Sequence, residues 1–519
     1  MGSGAFFYRT TNPRFWQYRI FRGGAPPSVL PENGQNLVLR PKISIIRPFE
    51  LTFPLCDIII LHAMKTLDLG SPNILRTSLR LAVPAMVAQF INVLYSIVDR
   101  IFVGNMAEIG DLALAGVGVC APVTTLITSF ASLVGIGGAP IFAMSMGEGR
   151  PDNARKILSN ALLMLVIIAA CLTAVILPLL KPLLMTFGAS ENTYPFAREY
   201  MLVYASGCIF AVISAGLNQF ITAQGYSGIA MATTCIGAIA NVGLDPLFIF
   251  TLDMGVTGAA AATVLSQGLS SLFVITFLLM PKTKVRLSVG GYSGKTMLRI
   301  VKMGLSPFFI TATDSVIIIV LNAVVQKYGG ADGDMWVTVA TIVQAFLTLI
   351  TMPMLGITTG TQPVLSYNYG ARNSALIKKA EKIIVLMCLT FTTVMFALSW
   401  AIEKPFVSLF TDDPVIAQNS VSGIRKYMIG IIPLALQYAF VDGLTALGQP
   451  RFAFTLSITR KLVLLLSLTF ALPAIFGVSA VFYAEPAADI ASAILSTTTF
   501  ALVINKILKK RERSDSGIL

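Results

Sequence analysis

The sequence predicts an all-α integral membrane protein with twelve transmembrane helices in two six-helix bundles related by an axis along the membrane normal. Of the 519 residues, 55% are hydrophobic and only 12% are charged, and the mean hydropathy is +0.77. A soluble globular protein carries about twice this charged fraction. Apolar runs long enough to cross a bilayer recur along the chain, and its two halves repeat one another.

Twelve predicted spans follow one another in order. They cover residues 79–103, 112–137, 159–180, 200–223, 229–252, 258–280, 304–326, 336–361, 380–401, 426–447, 453–475 and 479–505. Each is close to the length of about 20 residues that a helix needs to cross the hydrocarbon core. We therefore expect an N-terminal bundle (64–280), a cytoplasmic linker (281–302), a C-terminal bundle (303–505) and a basic cytoplasmic tail (506–519).

Residues 1–63 differ from the rest of the chain. They are basic, aromatic and punctuated by prolines, and their apolar patch at 51–61 is too short to span a bilayer. We expect this segment to be a disordered leader or an over-extended start, with a lipid-surface anchor as the alternative. It contains His62, the only histidine of the chain, so the predicted spans have no histidine relay.

Charge alternates between the loops that connect the spans. The loops after even-numbered spans and the tail are basic, with Arg150, Arg155, Lys156, Lys282, Lys284, Arg286, Lys295, Arg299, Arg372, Lys378, Lys379, Arg451, Lys506, Lys509, Lys510, Arg511 and Arg513. The loops after odd-numbered spans are acidic, with Glu108, Asp111, Asp253, Asp332, Asp334, Asp412 and Asp413. Because cytoplasmic loops are enriched in lysine and arginine, both termini are predicted to be cytoplasmic. The even number of spans agrees with this orientation.

The two halves carry matching landmarks at a nearly constant separation. Pro84 and Pro307 lie 223 residues apart, and the tetrapeptide TAQG ending at Gly225 recurs 223 residues later as TALG ending at Gly448. The loop GRPDNA at 149–154 corresponds to GARNSA at 370–375. Because each half has an even number of spans, both halves insert in the same orientation, which predicts a central cleft between them.

Polar side chains recur at helical spacing within several spans. Those that we expect to line a substrate cleft are Gln89, Asn92, Ser96, Asn218, Asp314, Asn322 and Gln344. A polar stripe that faced lipid would lack hydrogen-bond partners, so these residues should face other helices or water. Hydrogen bonds between helices, worth about 0.6 kcal/mol each, are the structural alternative.

The fifth span contains the most informative polar pair. Asn241 lies four residues before Asp245, so the two share one helix face, and Pro246 follows directly. A carboxylate near mid-membrane costs about 2.5–3.5 kcal/mol on insertion scales and usually marks an ion or proton site. A protonated aspartate held by a neighbouring helix is the structural alternative. With Asp99 of the first span, these residues form our candidate cation site.

The acids are shared unequally between the halves. The positions that correspond to Asp99 and Asp245 are the neutral Asn322 and Ser467, which favours a coupling ion in the N-terminal bundle. Further acids lie in the C-terminal half: Asp314, Asp442, Glu485 and Asp489. We interpret Asp442 as solvated near the end of its span. Glu485 and Asp489 are either a structural pair or part of a cationic-substrate site.

Five segments together resemble the MATE (multidrug and toxic compound extrusion) family, within the multidrug/oligosaccharidyl-lipid/polysaccharide exporter superfamily. They are VLYSIVDRIFVGN (93–105), ANVGLDPLFIF (240–250), TQPVLSYNYGARN (361–373), TALGQPRFAFTLS (445–457) and AEPAADI (484–490). The chain is most similar to the bacterial multidrug exporters with an N-x-x-x-D-P motif. In that branch an acid of the first span and the Asn and Asp of the fifth form the cation site, which implies the same role for Asp99, Asn241 and Asp245.

The resemblance implies a secondary-active multidrug efflux antiporter. Such a protein exports organic, cationic and lipophilic compounds in exchange for H⁺ or Na⁺ and needs no other cofactor. It would be a monomer in the bacterial inner membrane, with small organic molecules and the lipid bilayer as its partners. The net charge of +13 is explained by the cytoplasmic loops, so we expect no nucleic-acid partner.

Two alternatives remain from the sequence. A flippase for lipid-linked oligosaccharides or peptidoglycan precursors shares the superfamily architecture, but it should line its cleft with several basic residues. Here the intramembrane basic residues are Arg100, Arg460 and Lys461. A membrane-embedded enzyme is disfavoured because the spans lack the HExxH and GxSxG motifs and metal-ligand spacing.

Overall fold

The computed structural model describes residues 66–106, 110–411 and 413–513, and within these ranges every regular element is helical. The α-helices of the N-terminal half are α1 (Ile74–Gly104), α2 (Gly110–Gly147), α3 (Pro151–Ile176), α4 (Leu180–Thr186), α5 (Tyr194–Ser206), α6 (Cys208–Ala223), α7 (Ser227–Pro246) and α8 (Gly255–Leu279). Those of the C-terminal half are α9 (Gly294–Gly329), α10 (Gly333–Gly370), α11 (Ser374–Val407), α12 (Pro414–Met428), α13 (Ile431–Ala446), α14 (Pro450–Ile458), α15 (Leu466–Phe476) and α16 (Ala484–Arg513).

Two kinds of shorter helical element, π-helical turns and 3-10 helices, complete the chain path. A π-helical turn, Leu247–Thr251, continues α7 beyond Pro246, and a second one, Thr459–Leu465, joins α14 to α15. Short 3-10 helices at Gly330–Asp332 and Val478–Tyr483 lead into α10 and α16. The predicted leader 1–63, including His62, lies outside the described residues, as do Glu108, Asp412 and positions 514–519.

Ten helical segments of the described chain are long and apolar enough to cross a membrane, and two bent pairs raise the number to twelve. The bent pairs are α5 with α6, at 55°, and α12 with α13, at 48°. This confirms the fold class of twelve transmembrane helices. The exact boundaries of the bundles, linker and tail stay predictions.

Both bends lie at equivalent glycines. Gly207 and Gly430 are 223 residues apart, the separation that relates the two halves. A Cβ atom on Gly207 would lie 2.3 Å from Val264 Cγ1 on α8, and one on Gly430 would lie 2.5 Å from Pro486 Cα on α16. The bends therefore form where a helix without a side chain packs closely against the sixth span of its own half.

The buried apolar residues form two main clusters. One contains buried residues between Val103 and Met303, and the other contains buried residues between Leu321 and Leu508. The start of α1 belongs to the second cluster, through Ile74 and Leu81. The first span thus packs against the C-terminal half at one end and continues beside α7 of its own half.

The two halves meet along α2, from the middle of this helix to its end at the face that carries the basic loops. A Cβ atom on Gly304 of α9 would lie 1.9 Å from Leu133 O of α2, and one on Gly370 of α10 would lie 2.1 Å from Met144 O. Helix backbones therefore touch with no room for a methyl group. At the same face, Arg511 of α16 forms an ion pair with Glu148 at the end of α2. The halves are closed against each other on this side.

Candidate functional site

A cavity of about 510 Å³ lies between the two halves and is lined by both. This volume lies in the range typical of small-molecule sites. Four predicted cleft residues line it: Gln89, Asn92, Asn218 and Asp314. The structure thus brings polar groups from α1, α6 and α9 to one space, as expected of a substrate cleft.

The other three predicted cleft residues do not line this cavity. Ser96 is exposed on α1, because the polar stripe of that helix turns away from the cavity before its end. Gln344 instead donates from Nε2 to the hydroxyl of Tyr427 at 3.2 Å, which is the structural alternative of an interhelical hydrogen bond. Asn322 is half-buried further along α9, beyond the part of that helix that reaches the cavity.

The three candidate cation ligands lie together beside the cavity. The carboxyl groups of Asp99 on α1 and Asp245 on α7 are within hydrogen-bonding range of each other. Asn241 donates from Nδ2 to Asp245 Oδ1 at 3.2 Å and lies 3.5 Å from Thr263 Oγ1 of α8. Asp245 is fully buried and Asn241 is 1% exposed. The helical spacing of Asn241 and Asp245 places both on the face that meets α1.

Three oxygen atoms of this site are buried and have no hydrogen-bond partner. They are Asp99 Oδ1, Asn241 Oδ1 and Asp245 Oδ2. Among the described residues, neither carboxyl group forms an ion pair. Carboxylate and amide oxygens are the ligands that hard cations prefer, and a carboxyl pair in contact also suits a shared proton. The site can therefore hold a small cation or a proton.

Tyrosines that the sequence reasoning missed complete the surroundings of this site. Tyr95, one turn before Asp99 on α1, lies close to both carboxyl groups. Tyr200 of α5 is hydrogen-bonded to Thr263 and lies near Asp99. Because Tyr95 is four residues before Asp99, helical spacing alone could have placed the two on one face.

The C-terminal half contributes an ion-paired cluster to the same cavity. Arg460 donates from Nε to Asp489 Oδ1 at 2.8 Å and from Nη2 to Glu485 Oε1 at 3.1 Å. The neighbouring Lys461 is paired with Asp314. Arg460 and Lys461 are both buried although they are consecutive, because they lie in the π-helical turn Thr459–Leu465. Glu485 and Asp489 thus form a structural pair around one arginine.

The cluster also bears on the flippase alternative. Arg460 and Lys461 line the cavity, but each is paired with acidic side chains, and Arg100 is exposed on α1. The unpaired basic residues that a pyrophosphate would need are therefore missing from the described part of the cavity wall.

Asp442, expected to be solvated near the end of its span, is half-buried at the wall of the cavity. It lines the cavity, its Oδ2 atom is buried without a hydrogen-bond partner, and Thr358 and Gln362 of α10 lie beside it. The cavity leaves this side chain a route to water, so the expectation that it is solvated stays a prediction.

A comparison with known families identifies the chain. The family model described as MatE matches residues 84–247 and 307–471, one stretch in each half. The chain belongs to the MatE family. This confirms the resemblance seen in the sequence, and the two matched stretches begin at Pro84 and Pro307, the landmarks of the internal repeat.

Relatives and solved structures cover nearly the whole membrane part of this MatE protein. It is 24% identical to the multidrug export protein MepA of Staphylococcus haemolyticus (strain JCSC1435) over 82% of this chain and 92% of that protein. It is also 24% identical to MepA of Staphylococcus aureus (strain MRSA252), over 86% of this chain and 96% of that protein.

A solved outward-facing multidrug resistance MATE family transporter of the MOP superfamily has a similar fold, with a TM-score of 0.80 and 25% identity over 86% of this chain and all of that chain. The solved structure of a MATE in complex with MaL6 is also similar, with a TM-score of 0.79 and 24% identity. The match covers 84% of this chain and 97% of that chain. The chain is therefore a multi-pass membrane transporter of the MatE family.

Proposed function

We propose that this MatE protein is a secondary-active efflux antiporter that exports organic, cationic and lipophilic compounds in exchange for H⁺ or Na⁺. The observation that supports this proposal is the pair Asp99 and Asp245, a half-buried and a fully buried carboxyl group within hydrogen-bonding range of each other. Neither has an ion-pair partner in the described chain, and both lie beside a cavity of drug-sized volume. The names of the MepA relatives, multidrug export proteins, agree with it.

The cation would be held by the three unpartnered oxygens of Asp99, Asn241 and Asp245. Loading from outside neutralises the carboxyl pair and favours the conformation that releases drug outward. Unloading to the cytoplasm restores the negative charge for the next drug. A membrane potential of 100 mV supplies about 2.3 kcal/mol per net charge moved, which corresponds to a concentration ratio of about fiftyfold. A one-for-one exchange of an organic cation for H⁺ or Na⁺ moves no net charge and is driven by the concentration gradient of the coupling ion instead.

The proposal also includes the orientation of the protein in the membrane. The basic loops and both termini lie in the cytoplasm of a bacterial cell, and the protein works as a monomer in the inner membrane. The glycine contacts then close the cytoplasmic side, and the solved outward-facing relative has the same fold.

Uptake of a fluorescent organic cation into proteoliposomes tests the proposal, with proton and sodium gradients imposed separately. We expect the wild-type protein to move the cation under one of the two gradients. Asp245→Asn should insert normally and abolish gradient-driven uptake, because the amide cannot release or bind the coupling charge. Uptake by Asp245→Asn at the wild-type rate would refute the assignment.

The chain offers a matched control for this variant. Asp253 is exposed in the loop after α7, with a φ of 51° that asparagine tolerates. Asp253→Asn makes the same chemical change eight residues away and outside the site, so we expect uptake at the wild-type rate.

A further inference from the structure

A second pair of acidic side chains, the buried Glu381 and the half-buried Asp442, lies in the C-terminal half, apart from both the cation site and the Arg460 cluster. Glu381 of α11 is 5% exposed, and neither of its carboxyl oxygens has a hydrogen-bond partner. The carboxyl group of Asp442 on α13 lies near that of Glu381. Asp442 Oδ2 is also buried without a hydrogen-bond partner. Sequence reasoning did not single out Glu381 at all.

The surroundings of this pair contain polar groups but no counter-charge in the described chain. The helices packed against α11 are α10, α13, α12 and the start of α1. From α10, Thr358 and Gln362 lie beside Asp442, and from α11 itself the thiol of Cys388 lies near both acids. Gln362 is 5% exposed, and its Nε2 is a buried donor without a hydrogen-bond partner.

The packing around Glu381 limits what can neutralise it. A Cβ atom on Gly443 would lie 2.7 Å from Glu381 Oε1 and 2.9 Å from Oε2, so the carboxyl group rests directly on the backbone of α13. A metal cation requires several oxygen ligands at once, whereas this carboxyl group is packed closely against the main chain of α13 at Gly443. An ionised carboxylate with no partner in such a place is unfavourable by several kcal/mol, and the group takes up a proton instead.

We propose that Glu381 and Asp442 form a proton-binding site of the C-terminal bundle, in which Glu381 holds a proton that exchanges with the cavity through Asp442. Asp442 lines the cavity, so it connects the enclosed Glu381 to water. Because neither Glu381 oxygen is hydrogen-bonded in this structure, the two side chains must first approach each other; protonated Glu381 then passes its proton to the Asp442 carboxylate and becomes a carboxylate. Protonated Asp442 then releases the same proton to water in the cavity.

This site goes beyond the proposed antiport at Asp99 and Asp245, because its proton can be detected without any transport. The carbonyl stretch of a protonated carboxyl group is visible by infrared spectroscopy of the purified full-length protein in liposomes. We expect the difference spectrum between wild type and Glu381→Gln to contain this band at neutral pH. In D₂O the band should shift, because the proton exchanges with solvent.

Glu403 provides the matched control on the same helix. It is as buried as Glu381, but it accepts a hydrogen bond from Arg425 Nε at 2.9 Å. Glu403→Gln makes the identical change at an ion-paired glutamate and should leave the band in place. Two further variants test the geometry: Gly443→Ala should shift the band, because its methyl group must displace the Glu381 carboxyl, and Asp442→Asn should slow its deuterium shift at least tenfold.

Specific results would overturn the inference. Absence of the band from the wild-type minus Glu381→Gln spectrum would show that Glu381 is ionised. Loss of the band on addition of Na⁺ at constant pH would make this a sodium site, and an unchanged deuterium shift in Asp442→Asn would remove Asp442 from the path. Asp245→Asn should keep the band while abolishing uptake, so failure here and failure of the proposed antiport are distinguishable.

Discussion

The two halves of this transporter hold their buried acids in opposite ways. In the N-terminal half, Asp99 and Asp245 contact each other, and the described chain supplies no ion-pair partner for either. In the C-terminal half, Glu485 and Asp489 both bind the guanidinium group of Arg460. None of these four acids lines the cavity itself, but a neighbour of each pair does, Tyr95 in one half and Arg460 in the other, so the contrast is one of charge.

The contrast shows how a duplicated fold divides its tasks. Both halves keep the same helix order, and even the bends at Gly207 and Gly430 correspond. Acids that are balanced by an arginine within the protein are fixed in the structure and depend on no outside ion. Acids without such a partner depend on a cation or proton from solution, and this dependence is what a coupling site requires.

Removal of the arginine should have the largest effect on stability. Arg460→Met leaves Glu485 and Asp489 buried without their partner, and breaking a buried ion pair from one side typically costs about 3–5 kcal/mol. We expect a clear drop in the melting temperature of the detergent-purified protein. An unchanged melting temperature would mean that the two acids need no counter-charge, and the contrast between the halves would disappear.

A smaller effect is expected at the second ion pair of the cluster. Lys461 is largely buried, but the side chain of Asp314 is 39% exposed, so solvent screens their attraction. A double-mutant cycle with Lys461→Met and Asp314→Asn should give a coupling energy of about 1 kcal/mol or less. A coupling as large as the effect of Arg460→Met would show that this pair belongs to the buried part of the network.

The smallest effect on stability is expected at the cation site. Asp245→Asn removes a carboxyl group that has no ion-pair partner, and the new amide oxygen can still accept the hydrogen bond from Asn241. The free energy of unfolding should fall by no more than about 1 kcal/mol, although transport is lost. Thermal melting beside the uptake assay measures both, and a loss comparable to that of Arg460→Met would indicate a structural role for Asp245.

The spans and the cation site could be predicted from the sequence for physical reasons. Long apolar runs must be helical in lipid, since each backbone group needs a partner. Asp99 and Asp245 are lone carboxylates in such runs, and helical spacing puts Asn241 on the same face as Asp245. The bends at Gly207 and Gly430 were not predictable, because glycine is tolerated inside membrane helices and does not by itself mark a break.

The polar groups of the C-terminal half were harder to place from the sequence. Glu381 lies among Lys378, Lys379 and Lys382, a pattern typical of a solvated loop, and only its contact with Gly443 shows that it points inward. Arg460 and Lys461 are adjacent, so a regular α-helix would separate their directions. The π-helical turn that buries both depends on tertiary packing and leaves no signal in the local sequence.

The glycine contacts on the basic face have a consequence for how this protein moves. Where Gly304 meets Leu133 and Gly370 meets Met144, main chain rests on main chain, with no flexible side chain between them to stretch or compress. The two halves are therefore either in contact along this surface or separated, with no stable intermediate arrangement. A methyl group added at Gly370 would therefore favour the conformation in which the two halves are separated on this side, without changing the acidic side chains of the cation site.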